Sequence, residues 1–145
     1  MKANSECGWW DPRAAAAALG RWALGVIFLF FGIGKLPDVG YFAGYLAKEF
    51  QKTWLPPVLV SLFSHVLPFL EVTLGVMLLL GLFRNVALFA AGLLLISLAF
   101  GQVLLAQPQT VFANTAYAFM AAALLFLARY DRWVLFPPAN SGHPT

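Results

Sequence analysis

Three charged residues sit where a hydrophobic sequence makes charge expensive. Arg21 and Lys35 bracket the run "RWALGVIFLFFGIGK", and Glu71 interrupts "VLPFLEVTLGVMLLL". A charge at the centre of a bilayer costs about 2.5–3.5 kcal/mol on insertion scales, so each must find a partner, reach the interface or do chemistry. Counted at about 1.5 Å per residue from the middle of each run, Arg21 falls in the inner half of the first and Glu71 slightly to the inner side of the second. Their heights then differ by about one helical turn. An Arg21–Glu71 ion pair facing the bundle interior is the expectation. It would serve either as a buried pair that fixes helix register or as a proton or quinone-headgroup site.

A second polar set lies in the outer half. Lys35, His65, Gln102 and Asn114 come out at similar heights, and Tyr117 stands one turn below Asn114 on the same helical face. Two readings compete. Together these residues could line a pocket for a quinone or other ligand, open to the outer leaflet. Taken singly, Gln102 and Asn114 would hydrogen-bond between helices, and His65 would be a satisfied core or interfacial histidine. For Lys35 the expectation is an anchor: its Cα lies roughly 13 Å from the bilayer centre, and a four-carbon stem can snorkel to headgroups or to Asp38. The rival orientation turns it inward, towards a quinone carbonyl.

Other chemistries find no support in the residues. His65 has no second intramembrane histidine with which to hold a haem, and no metal-binding cluster, Ser-His-Asp set or nucleotide loop is visible. The glycines Gly25, Gly32, Gly34, Gly75 and Gly92 read as close helix packing, because the G-x-G here neither follows a strand nor opens a helix. One cysteine, Cys7, excludes an internal disulfide and a C-x-x-C redox pair. Basic residues are scattered, so no nucleic-acid surface is expected.

The elements that must position these side chains follow from composition. The 145 residues are 61% hydrophobic and 10% charged, with a mean hydropathy of +0.80. Soluble domains are roughly 45–50% apolar and about 25% charged. The solvent for most of this chain must therefore be lipid. Four apolar segments reach the roughly 20 residues needed to cross a bilayer, at about 14–36, 57–80, 85–106 and 110–129. Asp11 and Pro12 suit the cap and first turn of the first span. The short linkers "GLFRN" and "QPQ" force antiparallel neighbours. The fold class expected is all-α: one domain over 1–145, a transmembrane four-helix bundle with a short interfacial helix between the first and second spans. That helix, at about 40–54, would place Tyr41, Phe42, Tyr45, Leu46 and Phe50 on one side and Lys48, Glu49 and Lys52 towards the other, until Trp54 and Pro56-Pro57 end it.

The start "MKANSECGWWDPR" lacks the layout of a signal peptide, so the first span is expected to stay in the mature chain. Lys2, Arg13, Arg84, Arg129 and Arg132 would share one side, against Lys48 and Lys52, with Lys35 if it reaches the surface. That bias puts the termini and the Arg84 hairpin in the cytoplasm. The tail "PPANSGHPT" is too polar to order alone and is expected on a partner surface.

"RWALGVIFLFFGIGKL", followed by "PFLEVTLGVMLLLGL", resembles the DoxX-like membrane proteins over about 21–129. Their pattern is Arg-x-x-x-Gly at the start of the first helix, Phe-x-Gly-x-x-Lys at its end, and Pro-x-x-Glu-x-x-x-Gly in the second. The resemblance implies a four-helix bundle in a prokaryotic inner membrane and maps the family's charged positions onto Arg21, Lys35 and Glu71. It implies a place in redox biology. DoxD relatives are the membrane subunit of a thiosulfate:quinone oxidoreductase, and others join complexes that handle oxidative stress. The related MauE-type proteins carry thiol pairs for disulfide chemistry, and with one cysteine this chain is expected to stand outside that branch. No soluble thiosulfate-oxidising domain is read in these residues, so a complete enzyme in one chain is not expected. Three functions remain: a non-catalytic subunit of a multi-subunit electron-transfer complex, a quinone-binding subunit of DoxD type, and an independent small-molecule carrier. The carrier is the weakest, since four short helices without an inverted repeat offer little of a transport path.

Overall fold

The computed structural model describes residues 11–135. Lys2, Cys7 and the tail 137–145 lie outside the described residues. Among the described residues there are five α-helices: α1 (Pro12–Lys35), α2 (Val39–Glu49), α3 (Pro57–Leu80), α4 (Arg84–Leu104) and α5 (Pro108–Leu127). The molecule is an all-α membrane bundle, and four of its helical segments are long and apolar enough to cross a bilayer.

Local chemistry sets the helix ends. Asp11 caps α1 by accepting from the Arg13 N–H at 3.0 Å, and Pro12 occupies the first turn, where its missing N–H leaves nothing unpaired. Pro37 follows the last residues of α1, and a short 3-10 turn over Leu36–Asp38 redirects the chain. Asp38 then caps α2, accepting from the Tyr41 N–H at 2.8 Å. α3 closes on Gly81 at φ +71°, with the Gly81 and Leu82 N–H groups both returning to the Met77 carbonyl. α4 ends in the same way on Ala106 at φ +53°, with the Gln107 N–H on the Gln102 carbonyl. There the left-handed position lacks a glycine.

Each spanning helix buries a stripe and leaves large apolar side chains outward. On α1 the stripe is Ala14, Ala17, Ala18, Arg21, Leu24, Gly25, Phe28 and Gly32, while Phe30 and Phe31 face out. α1 packs most extensively on α3, and α4 on α5. The α1–α3 contact is backbone to backbone. A Cβ on Gly75 would stand 2.6 Å from the Leu29 nitrogen, and one on Gly32 would stand 2.8 Å from the Val72 nitrogen and 2.9 Å from the Pro68 oxygen. In lipid, where apolar burial drives little, such approach is what holds helices together.

This contact fixes a register. Gly25 meets Gly75 and Leu79, about eight residues nearer the end of α3 than equal centring of the two spans would put it. α1 has slid roughly 12 Å along α3. The N-terminal half of α3 is covered instead by α2, whose Ala43 is buried and whose Phe42 and Leu46 are half-buried. Tyr41 and Tyr45, expected on the same side as these, point outward. The turn after α2 reaches α4, where Trp54 meets Phe100 edge-on and Phe50 lies over Gly101.

Candidate functional site

The slide re-pairs the charges, so the expected Arg21–Glu71 pair does not form. Arg21 is carried to the end of α3 and Lys35 to its middle. Lys35 Nζ stands 2.7 Å from both carboxylate oxygens of Glu71. The Glu71 side chain is 3% exposed and that of Lys35 is 24%. The ammonium is also flanked by the Phe31 and Phe42 rings, 5.9 Å and 5.2 Å from their centroids. Lys35 is thus turned inward, against the expectation of a snorkelling anchor. The stem that would have reached the headgroups reaches a carboxylate instead, because α1 stops halfway along α3.

Arg21, 1% exposed, works as a clasp. Its Nε donates to Asp131 Oδ2 at 2.7 Å, and its remaining N–H groups donate to the carbonyls of Leu78, Leu79 (3.1 Å) and Trp133 (2.6 Å). A helix leaves its last four carbonyls without intrahelical donors. In α3 all four are taken: Met77 by Gly81 and Leu82, Leu78 and Leu79 by Arg21, and Leu80 by the Leu135 N–H. A cation at a helix C-terminus also complements the helix dipole. Asp131 accepts from the Trp133 N–H at 3.1 Å, and the Trp22 and Trp133 rings meet at 5.6 Å. The segment after α5 is folded under the bundle by these contacts, with Val134 against Gly81.

The remaining members of the outer polar set do not converge on the Lys35–Glu71 couple through hydrogen bonds. His65 is exposed, its Nδ1 2.7 Å from the Ser61 carbonyl one turn earlier, and it lines a shallow groove with Pro57, Val58, Ser61 and Leu62. Gln102 on α4 is half-buried, and its Oε1 is fully buried with no donor. Asn114 and Tyr117 on α5 are half-buried, and Tyr117 packs against the core. Among the described residues no group of three or more His, Cys, Asp or Glu is placed to hold a metal.

Asp131 is the residue that sequence reasoning missed. It follows the last span in "ARYDRW" and reads as a surface acid. The signal that could have found it is bookkeeping by membrane side: a buried arginine near one end of the bundle requires an acid at that end.

Fold and site together define a small membrane protein: four spanning helices in two close-packed pairs, with its buried charges joined in pairs. Within that class, the model of the family "methylamine utilisation protein MauE" matches residues 13–110, about two thirds of the chain, and the chain belongs to that family. The match bears out a small multi-span membrane family, related to the DoxX-like proteins, without confirming the DoxX-like assignment itself. It also corrects the expectation that one cysteine places the chain outside the MauE group, since membership follows the helical core and not a thiol pair. No curated protein and no solved structure matches. Arg21, Lys35, His65, Glu71 and Gln102 fall within the matched residues, whereas Asn114, Tyr117 and Asp131 fall beyond them.

Proposed function

We propose that this chain is a non-catalytic membrane subunit serving a redox system of a prokaryotic inner membrane, with both termini on the cytoplasmic side. The observation that carries the reading is the match to methylamine utilisation protein MauE, a description that names a metabolic role and not a reaction. The geometry agrees with a supporting role. Lys35 and Glu71 satisfy each other, and Arg21 is consumed by Asp131 and three carbonyls. With Cys7 as its only cysteine, the chain cannot make a disulfide within itself, so any thiol chemistry would draw on a partner. The test is to purify the tagged chain from its native membrane in mild detergent. Co-purification of subunits carrying haem, pigment or iron–sulfur absorbance is expected. A chain that purifies alone and reduces or oxidises a quinone unaided would overturn the proposal.

One observation favours a second reading, a quinone-binding subunit. The buried Gln102 Oε1 is an acceptor without a donor, and such a group is costly to leave unmade. A quinol hydroxyl would supply that donor. Quinol binding by the purified chain that Gln102→Leu weakens about tenfold or more would favour this reading. Binding unchanged by Gln102→Leu would remove it.

A further inference from the structure

The geometry points to a binding site for an anionic phospholipid at the arginine-rich end of the bundle. An open groove there is lined by Arg84, Asn85, Leu125, Phe126, Ala128 and Arg129. Its position suits a headgroup. α4 runs over 21 residues from Arg84, about 31 Å, which matches the hydrocarbon thickness and leaves Arg84 at its boundary. Arg129 stands just past the end of α5 at the same end of the bundle.

Both cations are held in place by neutral groups. Arg84 donates to the main-chain carbonyl of Asp131, and its Nε lies 3.4 Å from Asn85 Oδ1. Arg129 lies over the Phe126 and Tyr130 rings, 5.5 Å and 4.7 Å from their centroids. Neither has an acidic partner among the described residues. The two acids described at this end are engaged elsewhere, Asp131 by Arg21 and Asp11 by the first turn of α1. Two fixed guanidinium groups without counter-charge, facing one groove at headgroup depth, fit a phosphate diester. The other wall is apolar: Leu125 is half-buried and Phe126 is 73% exposed, both in the last turn of α5. A ligand with a phosphate at one end and an acyl chain at the other meets both. Inorganic phosphate meets only the first.

The test uses the full chain in nanodiscs of phosphatidylcholine doped with phosphatidylglycerol, reading the lipids retained after delipidation by native mass spectrometry. A polybasic contribution of about fivefold per arginine predicts roughly twenty-fivefold enrichment of the anionic lipid. R129Q should lower it about fivefold, and R84Q/R129Q should abolish it. R129Q keeps the Arg84 contact to Asp131, so it separates loss of the lipid from loss of the fold, with helicity as the control. Inorganic phosphate at millimolar concentration should not displace the lipid. Equal retention of neutral and anionic lipids, enrichment unchanged in R129Q, or displacement by inorganic phosphate would each overturn the assignment.

Discussion

At the scale of single residues, the two buried cations solve the same problem in different ways, and substitution should expose the difference. Lys35 and Glu71 close on each other, so removing one leaves a bare charge, at a cost of about 3–5 kcal/mol for a buried pair. The cost of removing Glu71 falls towards the lower end of that range because the Lys35 side chain is 24% exposed. Lys35→Met with Glu71→Leu should recover most of the loss and unfold within about 1 kcal/mol of the parent in detergent. Arg21 allows no such rescue. Asp131→Asn should cost about 3 kcal/mol by stranding a buried guanidinium. Adding Arg21→Met then leaves the carbonyls of Leu78, Leu79 and Trp133 without their donor, so the double variant should be at least as unstable as either single one. Thermal unfolding of the parent, the four single variants and the two double variants decides both points, and a stable Arg21→Met/Asp131→Asn variant would refute the clasp.

At the scale of elements, glycine positions set how closely the helices meet. Gly75→Ala should force α1 from α3, because the new Cβ would stand 2.6 Å from a backbone nitrogen; overpacking of that kind costs about 1–3 kcal/mol. Gly44 has open space around it in the middle of α2, so Gly44→Ala should instead stabilise by about 1 kcal/mol. Equal effects of the two changes, measured by unfolding temperature, would mean that the α1–α3 contact is not backbone to backbone. Ala106→Gly should also stabilise, by about 1 kcal/mol, since a left-handed alanine at φ +53° is relieved by losing its Cβ. Most of these elements were legible in the sequence. The cap Asp11, the proline at 12 and apolar runs of spanning length mark the spanning helices to within a few residues. What the sequence did not disclose was where α1 stops along α3. Hydropathy locates a span but carries no height relative to its neighbour; that height is set by where Gly25, Gly32 and Gly75 allow two backbones to touch. Equal centring therefore put Arg21 beside Glu71, and one slide of the helix corrected both partners.

At the scale of the whole molecule, the bundle is polarised. One end carries the Arg21–Asp131 clasp and the exposed arginines, and the other carries α2 with Lys48 and Lys52. The residue types that form the candidate site, Arg21, Lys35 and Glu71, were readable as costly charges, but the pairing was not, because it depends on register and on an acid beyond the last span. Cysteines introduced at Lys48 and Arg132 should label from opposite faces of sealed vesicles, with Arg132 on the cytoplasmic face; labelling from one face would contradict an odd number of crossings between them. The central claim is the register of α1 on α3, from which both ion pairs follow. A pair of double-mutant cycles on unfolding free energy tests it most directly, one combining Lys35→Met with Glu71→Leu and the other Arg21→Met with Glu71→Leu. That register predicts a coupling of about 5 kcal/mol in the first cycle and additivity within about 0.5 kcal/mol in the second. Additivity between Lys35 and Glu71 together with strong coupling between Arg21 and Glu71 would contradict it.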